Sequence, residues 1–401
     1  MIGLLTHALS ELAALLLKLG FIGFGGPAAH IAMMEEEVVE RRRWLTREHF
    51  LDLVGATNLI PGPNSTEMAI HVGYIRAGVA GLAVAGVCFI CPAVLVTSIF
   101  AWFYGKFGTL PQVAPLLYGI KPAVLAIILA AVLRLGKTAV KGWRFLPIGL
   151  AVALASLLGM NEVIALLLGG VIGMLWLRVS DRNNPLIGKG LIALVSIIAS
   201  ATPKIARTAN TALATLTGSA VGMPIGISLW RLGLFFLKVG AVLYGSGYVL
   251  VAFLEGGLVH DYGWLTQRQL LDAIAIGQFT PGPVLSTATF IGYLISGPLG
   301  AVIATMAIFL PSFVFVAALN PVVPRLRRSR WTAAFLDSVN ISAVALMVAV
   351  TVNLAQDILT SWPAWIIALA AAVVGIRWKV NSAWLVLGGA IIGWLLSAWT
   401  V

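Results

Sequence analysis

Apolar stretches of membrane-crossing length follow one another along almost the whole chain. Residues 79–104, 112–133, 331–355 and 382–399 are of the required size: about 20 residues at 1.5 Å each cross a hydrocarbon layer about 30 Å thick. Of the 401 residues 60% are hydrophobic and 10% charged, with mean hydropathy +0.99. A soluble domain is about a quarter charged, so a water-soluble fold is excluded. The expected class is an all-α, polytopic integral membrane protein with the lipid bilayer as its solvent. The first residues, MIGLLTHALSELAALLLKLGFIGFGG, have no basic leader and run into a motif that recurs later. They are expected to be a mature helix and not a cleaved signal.

The net charge of +11 does not point to nucleic acid. The basic residues form short clusters between apolar segments, where topology signals belong. Cys88 and Cys91 lie in an apolar helix without a further Cys or nearby His, so they are read as small hydrophobes. His7, His30, His49, His71 and His260 fall in no H-E-x-x-H or other metal spacing, and the chain has no nucleophile elbow or P-loop. No metal, cofactor or enzymatic activity is expected.

The chain echoes itself at an offset of 220 residues. Lys18, Gly20 and Glu35 return as Lys238, Gly240 and Glu255. Trp44-Leu45-Thr46 returns as Trp264-Leu265-Thr266, Asp52 as Asp272, and Pro61-Gly62-Pro63 as Pro281-Gly282-Pro283. One residue is then lost, and Gly73-Tyr74, Gly78, Gly81 and Pro92 match Gly292-Tyr293, Gly297, Gly300 and Pro311. Chance similarity between apolar helices produces matched Leu or Val, not matched Pro, Trp, Lys and Glu in fixed register. The expected organisation is a first repeat over 1–185, a linker with one crossing over 186–222, and a second repeat over 223–401.

Charge orients the repeats. Arg41, Arg42, Arg43 and Arg47, then Arg134, Lys137, Lys141 and Arg144, then Arg178, Arg182 and Lys189 mark one face in the first half; their counterparts are nearly free of basic residues. The reverse holds for Arg325, Arg327, Arg328 and Arg330. The positive-inside rule therefore predicts inverted halves, an architecture that places substrate at the repeat interface near the midplane. With Arg47 and Arg76 on one face, 48–76 must enter and return. Its arms on either side of Pro61-Gly62-Pro63 are about 18–20 Å long as helix. The copy over 268–296 should dip in from the opposite face.

Glycine followed by proline starts a helix cleanly, and the unpaired amides at such a start favour an anion. Gly26-Pro27, Gly62-Pro63 and Gly282-Pro283 have this form, whereas Gly25's counterpart Gly245 is followed by Ser246-Gly247. The polar run Asn64, Ser65, Thr66 after the first break, Ser286 and Thr287 after the second, and the paired amides Asn58 and Gln278 suit a tetrahedral oxyanion. The alternative reading is that Gly and Pro only kink the helices and the hydroxyls cap them. Lys18 and Lys238 either snorkel to an interface or offset a dianion's charge. Glu67, Glu35 and Glu255 are candidates for proton coupling, Glu35 within a solvated charge run.

FGGPAAHIAMMEEEVVERRRWLTREHFLDLVGATNLIPGPNSTEMAIHVGY resembles the amino-terminal signature of the chromate ion transporter family, and the stretch from Gly247 to Ala301 resembles the same domain. The resemblance covers essentially the full chain. It implies a two-domain bacterial inner-membrane protein that exports chromate from the cytoplasm, driven by membrane potential or proton gradient, and gives chromate resistance. It implies sulfate as competitor, and it assigns the motif to Gly25, Gly26, Pro27, Pro61, Gly62, Pro63, Gly245, Pro281, Gly282 and Pro283. Another small anion such as sulfate is the alternative substrate, and a homodimer is one assembly open to such a chain.

Overall fold

The computed structural model describes residues 2–24, 26–108, 110, 114–180, 228–244, 247–319, 329–378 and 380–399. The expected crossing within 186–222 lies outside them. Helix α1 (Ile2–Ile22) is followed by α2 (Pro27–Glu35), which runs on as a π-helical turn (Glu36–Arg41), then α3 (Arg47–Thr57), α4 (Asn64–Phe107), α5 (Ala114–Ala139), α6 (Phe145–Leu157) and α7 (Glu162–Ser180). The second half repeats the series. It comprises α8 (Leu229–Val242), α9 (Leu250–Leu254) with its π-helical turn (Glu255–Asp261), α10 (Gln267–Phe279), α11 (Thr287–Leu319), α12 (Arg330–Ile358), α13 (Trp362–Trp378) and α14 (Ser382–Trp399). The described residues are all-helical, without a strand.

The sequence echo is an echo of backbone geometry. Trp44 N–H donates to Val38 O and Trp264 N–H to Leu258 O, each at 2.8 Å, closing the π turns identically. The threonine of each Trp-Leu-Thr then caps the next helix. Thr46 Oγ1 accepts from His49 N–H and Thr266 Oγ1 from Gln269 N–H, both at 3.2 Å. Such a side-chain oxygen satisfies an amide that has no partner inside the helix.

Helices α4 and α11 are each folded back on themselves. Gly78 (φ 61°) and Gly297 (φ 64°) reverse the chain in a conformation other residues rarely adopt. A β-carbon on Gly81 would strike the Gly73 carbonyl, and one on Gly300 the Gly292 carbonyl. The short arms, 64–76 and 287–295, thus lie directly against the long arms, 79–107 and 298–319. With α3 or α10, each short arm completes an element that enters, breaks at Pro-Gly-Pro and returns.

The halves are inverted. Phe313 packs where a side chain on Gly86 would go, whereas Tyr104 meets Phe290 and Gly105 meets Tyr293 near the α11 fold. The long arms therefore run antiparallel, and their folds at 77–78 and 296–297 lie at opposite ends of the packed pair. Arg76 bonds Glu11 (3.0 Å) and stacks over Trp44, so the first fold shares a face with the Arg41–Arg47 cluster. Beyond the long arms the halves interlock, since α5 packs against α13 and α14, and α12 against α6 and α7.

Among the described residues five helices are long and apolar enough to cross a membrane. Val87, Met306 and Leu369 are 58%, 69% and 59% exposed, as lipid-facing residues are. Trp143, Trp230, Trp362 and Trp384 are similarly exposed, with the amphipathic character of membrane-interface anchors. Cys88 and Cys91 are free and half-buried.

Candidate functional site

Each Pro-Gly-Pro loop docks on the first helix of the other half. Gly62 N–H donates to Leu243 O (2.6 Å), and Gly282 N–H to Gly23 O (2.7 Å). Gly23 and Leu243 are repeat equivalents, and each follows the end of a first helix. Gly62 has φ 144° and Gly282 φ 90°, which turns each amide outward across the interface at a backbone position that favours glycine. The expectation that proline takes the first helical position holds for Pro27, which opens α2 after Gly26 (φ 79°). It is corrected for the other two. Pro63 and Pro283 have extended ψ of 105° and 130°, so they stand as N-caps, and Pro283 leads first into a 3-10 turn.

His30 cross-braces the first site. Its Nε2 lies 2.8 Å from Gly23 O and its Nδ1 3.2 Å from Ser65 Oγ. A carbonyl only accepts, so Nε2 carries the proton and Nδ1 accepts from the Ser65 hydroxyl. The ring is buried and meets Phe89 edge-on at 5.4 Å. One imidazole thus joins the end of α1, which receives the Gly282 amide, to the first turn of α4. Sequence reasoning missed His30; a polar residue three places after Pro27, where the second repeat has Leu250, was the available signal.

Two cavities open on the basic face. One, of about 570 Å³, is lined by Pro27, Asn58, Asn64, Arg134, Lys141 and Asn340 among others. The other, about 560 Å³, includes Arg134, Lys137, Tyr248 and Ser382. Asn64 Nδ2 donates to Asn58 Oδ1 at 2.6 Å, which orients both amides at the cavity wall. Lys141 is committed to Asp337 (2.7 Å). Arg134 stands over the Tyr248 ring at 5.7 Å, and no carboxylate pairs with it among the described residues. It is the cation these cavities share. In sequence it read only as a topology marker, because nothing local distinguishes it from its basic neighbours.

Other candidates are placed elsewhere. Lys18 Nζ bonds Glu37 Oε1 at 2.8 Å, with Arg41 and Arg42 on the same carboxylate. The Lys18 hydrogen bond, with the charges of Lys18 and Arg41, holds the Glu37 carboxyl below its ordinary value despite the opposing effect of burial. Lys238 Nζ lies over the Phe235 ring (5.6 Å) and faces Asp261 and Glu162. Neither lysine lines the cavities. Glu35 pairs with Arg47 at 3.3 Å. Glu255, 2% exposed, meets His260 (2.9 Å) and Asn353 (3.5 Å).

The residues closest to the loops are the least solvated. Ser65, Thr66, Glu67, Ser286 and Thr287 are buried. Thr287 Oγ1 caps its own turn through Val284 O (2.8 Å), whereas Thr66 Oγ1, both Glu67 oxygens, Ser286 Oγ and Gln278 Nε2 have no partner among the described residues. Gln278 O accepts from Ser382 Oγ at 3.2 Å, which ties α10 to α14. Gly25, Gly245 and Ser246 lie outside the described residues.

Inverted, interlocked repeats whose helices break at the contact between the halves define a multi-pass membrane transporter of the repeat-swapped kind. The chain belongs to the chromate transporter family, which matches it twice, over residues 10–174 and 230–394. This is a family of transporters and not of enzymes. It is 32% identical to a chromate transport protein of Cupriavidus metallidurans over 97% of this chain and 93% of that one. It is 30% identical to a probable chromate transport protein of Synechococcus elongatus (94% and 91%) and 27% identical to an uncharacterized transporter of Methanocaldococcus jannaschii (95% and 92%). No solved structure matches the chain.

Proposed function

We propose that this protein is a secondary active transporter that exports chromate from the cytoplasm across a bacterial inner membrane and so gives chromate resistance. The observation that carries the reading is the cavity where the start of α2, the Asn58 and Asn64 amides and the guanidinium of Arg134, which no carboxylate pairs with among the described residues, converge on the basic face. A helix start and neutral amides donate to oxyanion oxygens in any orientation, and one guanidinium supplies charge without fixing the anion permanently. The names of the relatives support chromate in particular. The positive-inside rule puts the cavity on the cytoplasmic side, which suits loading for export, and an inside-negative potential drives a dianion outward.

In this reading Gly26, Pro27, Asn58, Gly62, Pro63, Asn64, Ser65 and Thr66 form the first half of the anion path. Gln278, Gly282, Pro283, Ser286 and Thr287 form the second, with Gly25, Gly245 and Ser246 at the ends of the first helices. Glu67, Glu35 and Glu255 remain the coupling carboxylates to be distinguished. Sulfate competes, because these donors read tetrahedral shape and charge.

The test is flux of radiolabelled chromate and sulfate in proteoliposomes at controlled pH and potential, with Arg134→Gln beside the wild type. Loss of a hydrogen bond to a charged group is worth about 1.5–3 kcal/mol, so the variant should bind the anion roughly tenfold or more weakly. Wild-type vesicles that move neither anion would refute the proposal.

A further inference from the structure

Glu67 has no exposed surface and no hydrogen-bond partner at either oxygen among the described residues. Ser312 Oγ and both ring nitrogens of His71, one turn further along α4, are likewise buried and unpartnered. A β-carbon on Gly62 would collide with the Glu67 carboxylate and lie 2.6 Å from Ser312 Oγ. The two groups therefore close over the loop from opposite halves. The repeat-related pocket is different: Gly282 faces Ala93 at 3.0 Å, and the second half offers only the hydroxyls of Ser286 and Thr287 at the helix start where the first half has the carboxylate of Glu67. This chemistry occurs once in a twofold frame.

Among the described residues no cation pairs with the carboxylate. His71 lies on its own helix, and Tyr244 at the end of α8 is near enough to feel its charge. The 298–319 arm of α11 has no ionisable residue. On α2, His30 is engaged by Gly23 and Ser65 and Glu35 by Arg47. On α1, Lys18 is engaged by Glu37. On α3, Glu48, His49 and Asp52 are exposed. Among the described residues an ionised Glu67 would have no counter-charge and no hydrogen bond, and it would stand in the first turn of the helix whose start borders the anion cavity.

We propose that Glu67, with Ser312 and His71, is a proton-binding site, and that protonation of Glu67 and binding of the oxyanion at the start of α4 reinforce each other. The inference rests on the oxyanion-transport reading and singles out Glu67 from the three carboxylates. The proton comes from water, forms an O–H bond on the carboxylate and returns to water when the anion leaves. A dianion moving with one proton still carries one net negative charge outward, which an inside-negative potential drives.

Sulfate is the suitable probe, because it does not itself protonate near neutrality as chromate does. Binding of radiolabelled sulfate to the purified full chain should weaken as pH rises, towards about tenfold per pH unit for one linked proton. Addition of sulfate in weak buffer should take up protons, read by a pH dye. Glu67→Gln should bind with the wild-type acid-side affinity at every pH, and Ser312→Ala should keep the slope with a displaced midpoint. A wild-type affinity independent of pH, no proton uptake, or an unchanged slope in Glu67→Gln would overturn the inference while leaving anion transport standing. If the wild type binds neither sulfate nor chromate, the underlying reading falls and takes this inference with it. The dye measurement needs no variant, so poor folding of Glu67→Gln does not protect the idea.

Discussion

The Gly62 amide lies 2.6 Å from the Leu243 carbonyl, and the repeat-related Gly282 amide lies 2.7 Å from the Gly23 carbonyl. Each half thus holds the break of the other with a backbone hydrogen bond, at loops where any movement between the halves must change both contacts together.

The two loop glycines should differ in their tolerance. Alanine at either one places a β-carbon at positive φ, which costs about 1–2 kcal/mol. At 62 it also strikes Glu67 and Ser312, whereas at 282 it meets Ala93 at 3.0 Å and Gly20 O at 3.3 Å. Gly62→Ala should therefore lose chromate uptake into everted vesicles, the direction that the proposed export takes there, more completely than Gly282→Ala, with protein still present in the membrane. Equal residual uptake would contradict the asymmetry.

Replacing His30 with phenylalanine keeps the packing against Phe89 but removes both polar contacts, leaving the Ser65 hydroxyl unpaired in a buried place. A buried polar group stripped of its partner costs about 1–3 kcal/mol. Thermal unfolding in detergent should fall accordingly, and transport should drop with it. An unchanged midpoint would mean that the His30 bridge contributes nothing to stability.

Glu37 gives a pH dependence with a definite sign. Its carboxyl is held below the ordinary value, so it contributes stability above that value and loses the contribution as pH falls through the depressed one. Lys18→Gln removes the principal cause. The variant should be less stable at neutral pH by under about 1 kcal/mol, since Lys18 is half exposed and exposed pairs are weak. The two stability curves should converge at acid pH, and anion affinity should be unchanged. Weakened anion binding in Lys18→Gln would return the lysine to the substrate path.

Inversion can be checked at the helix folds. In a background without Cys88 and Cys91, Ala77→Cys and Ser296→Cys should react with an impermeant maleimide from opposite sides of the membrane. Labelling from one side would contradict the antiparallel packing of the long arms.

Much of the architecture was legible because its signals are local and repeated. A 20-residue apolar run has no soluble alternative, the Trp-Leu-Thr triplets recur in fixed register, and the charge clusters orient each span through the membrane's own asymmetry. The Pro-Gly-Pro breaks announce themselves because proline lacks a donor and glycine accepts backbone angles that other residues avoid. What local sequence could not reveal is which partner satisfies each broken end. Lys18 and Lys238 are equivalent in sequence, yet one is clamped by Glu37 and the other faces Asp261 and Glu162. Arg134 is one of four clustered basic residues, and only the packing of α5 against the second half leaves it at the cavity without a carboxylate. Glu67 stood in the sequence as one of three candidate coupling carboxylates, and only the fold brings Ser312 from 245 residues away to close its pocket without bringing a charge. Composition, the 220-residue echo and the charge clusters determined that the chain would be two inverted membrane repeats. The long-range packing decided which polar groups were left unpaired at their junction, because desolvation and pairing depend on neighbours that only the folded chain supplies.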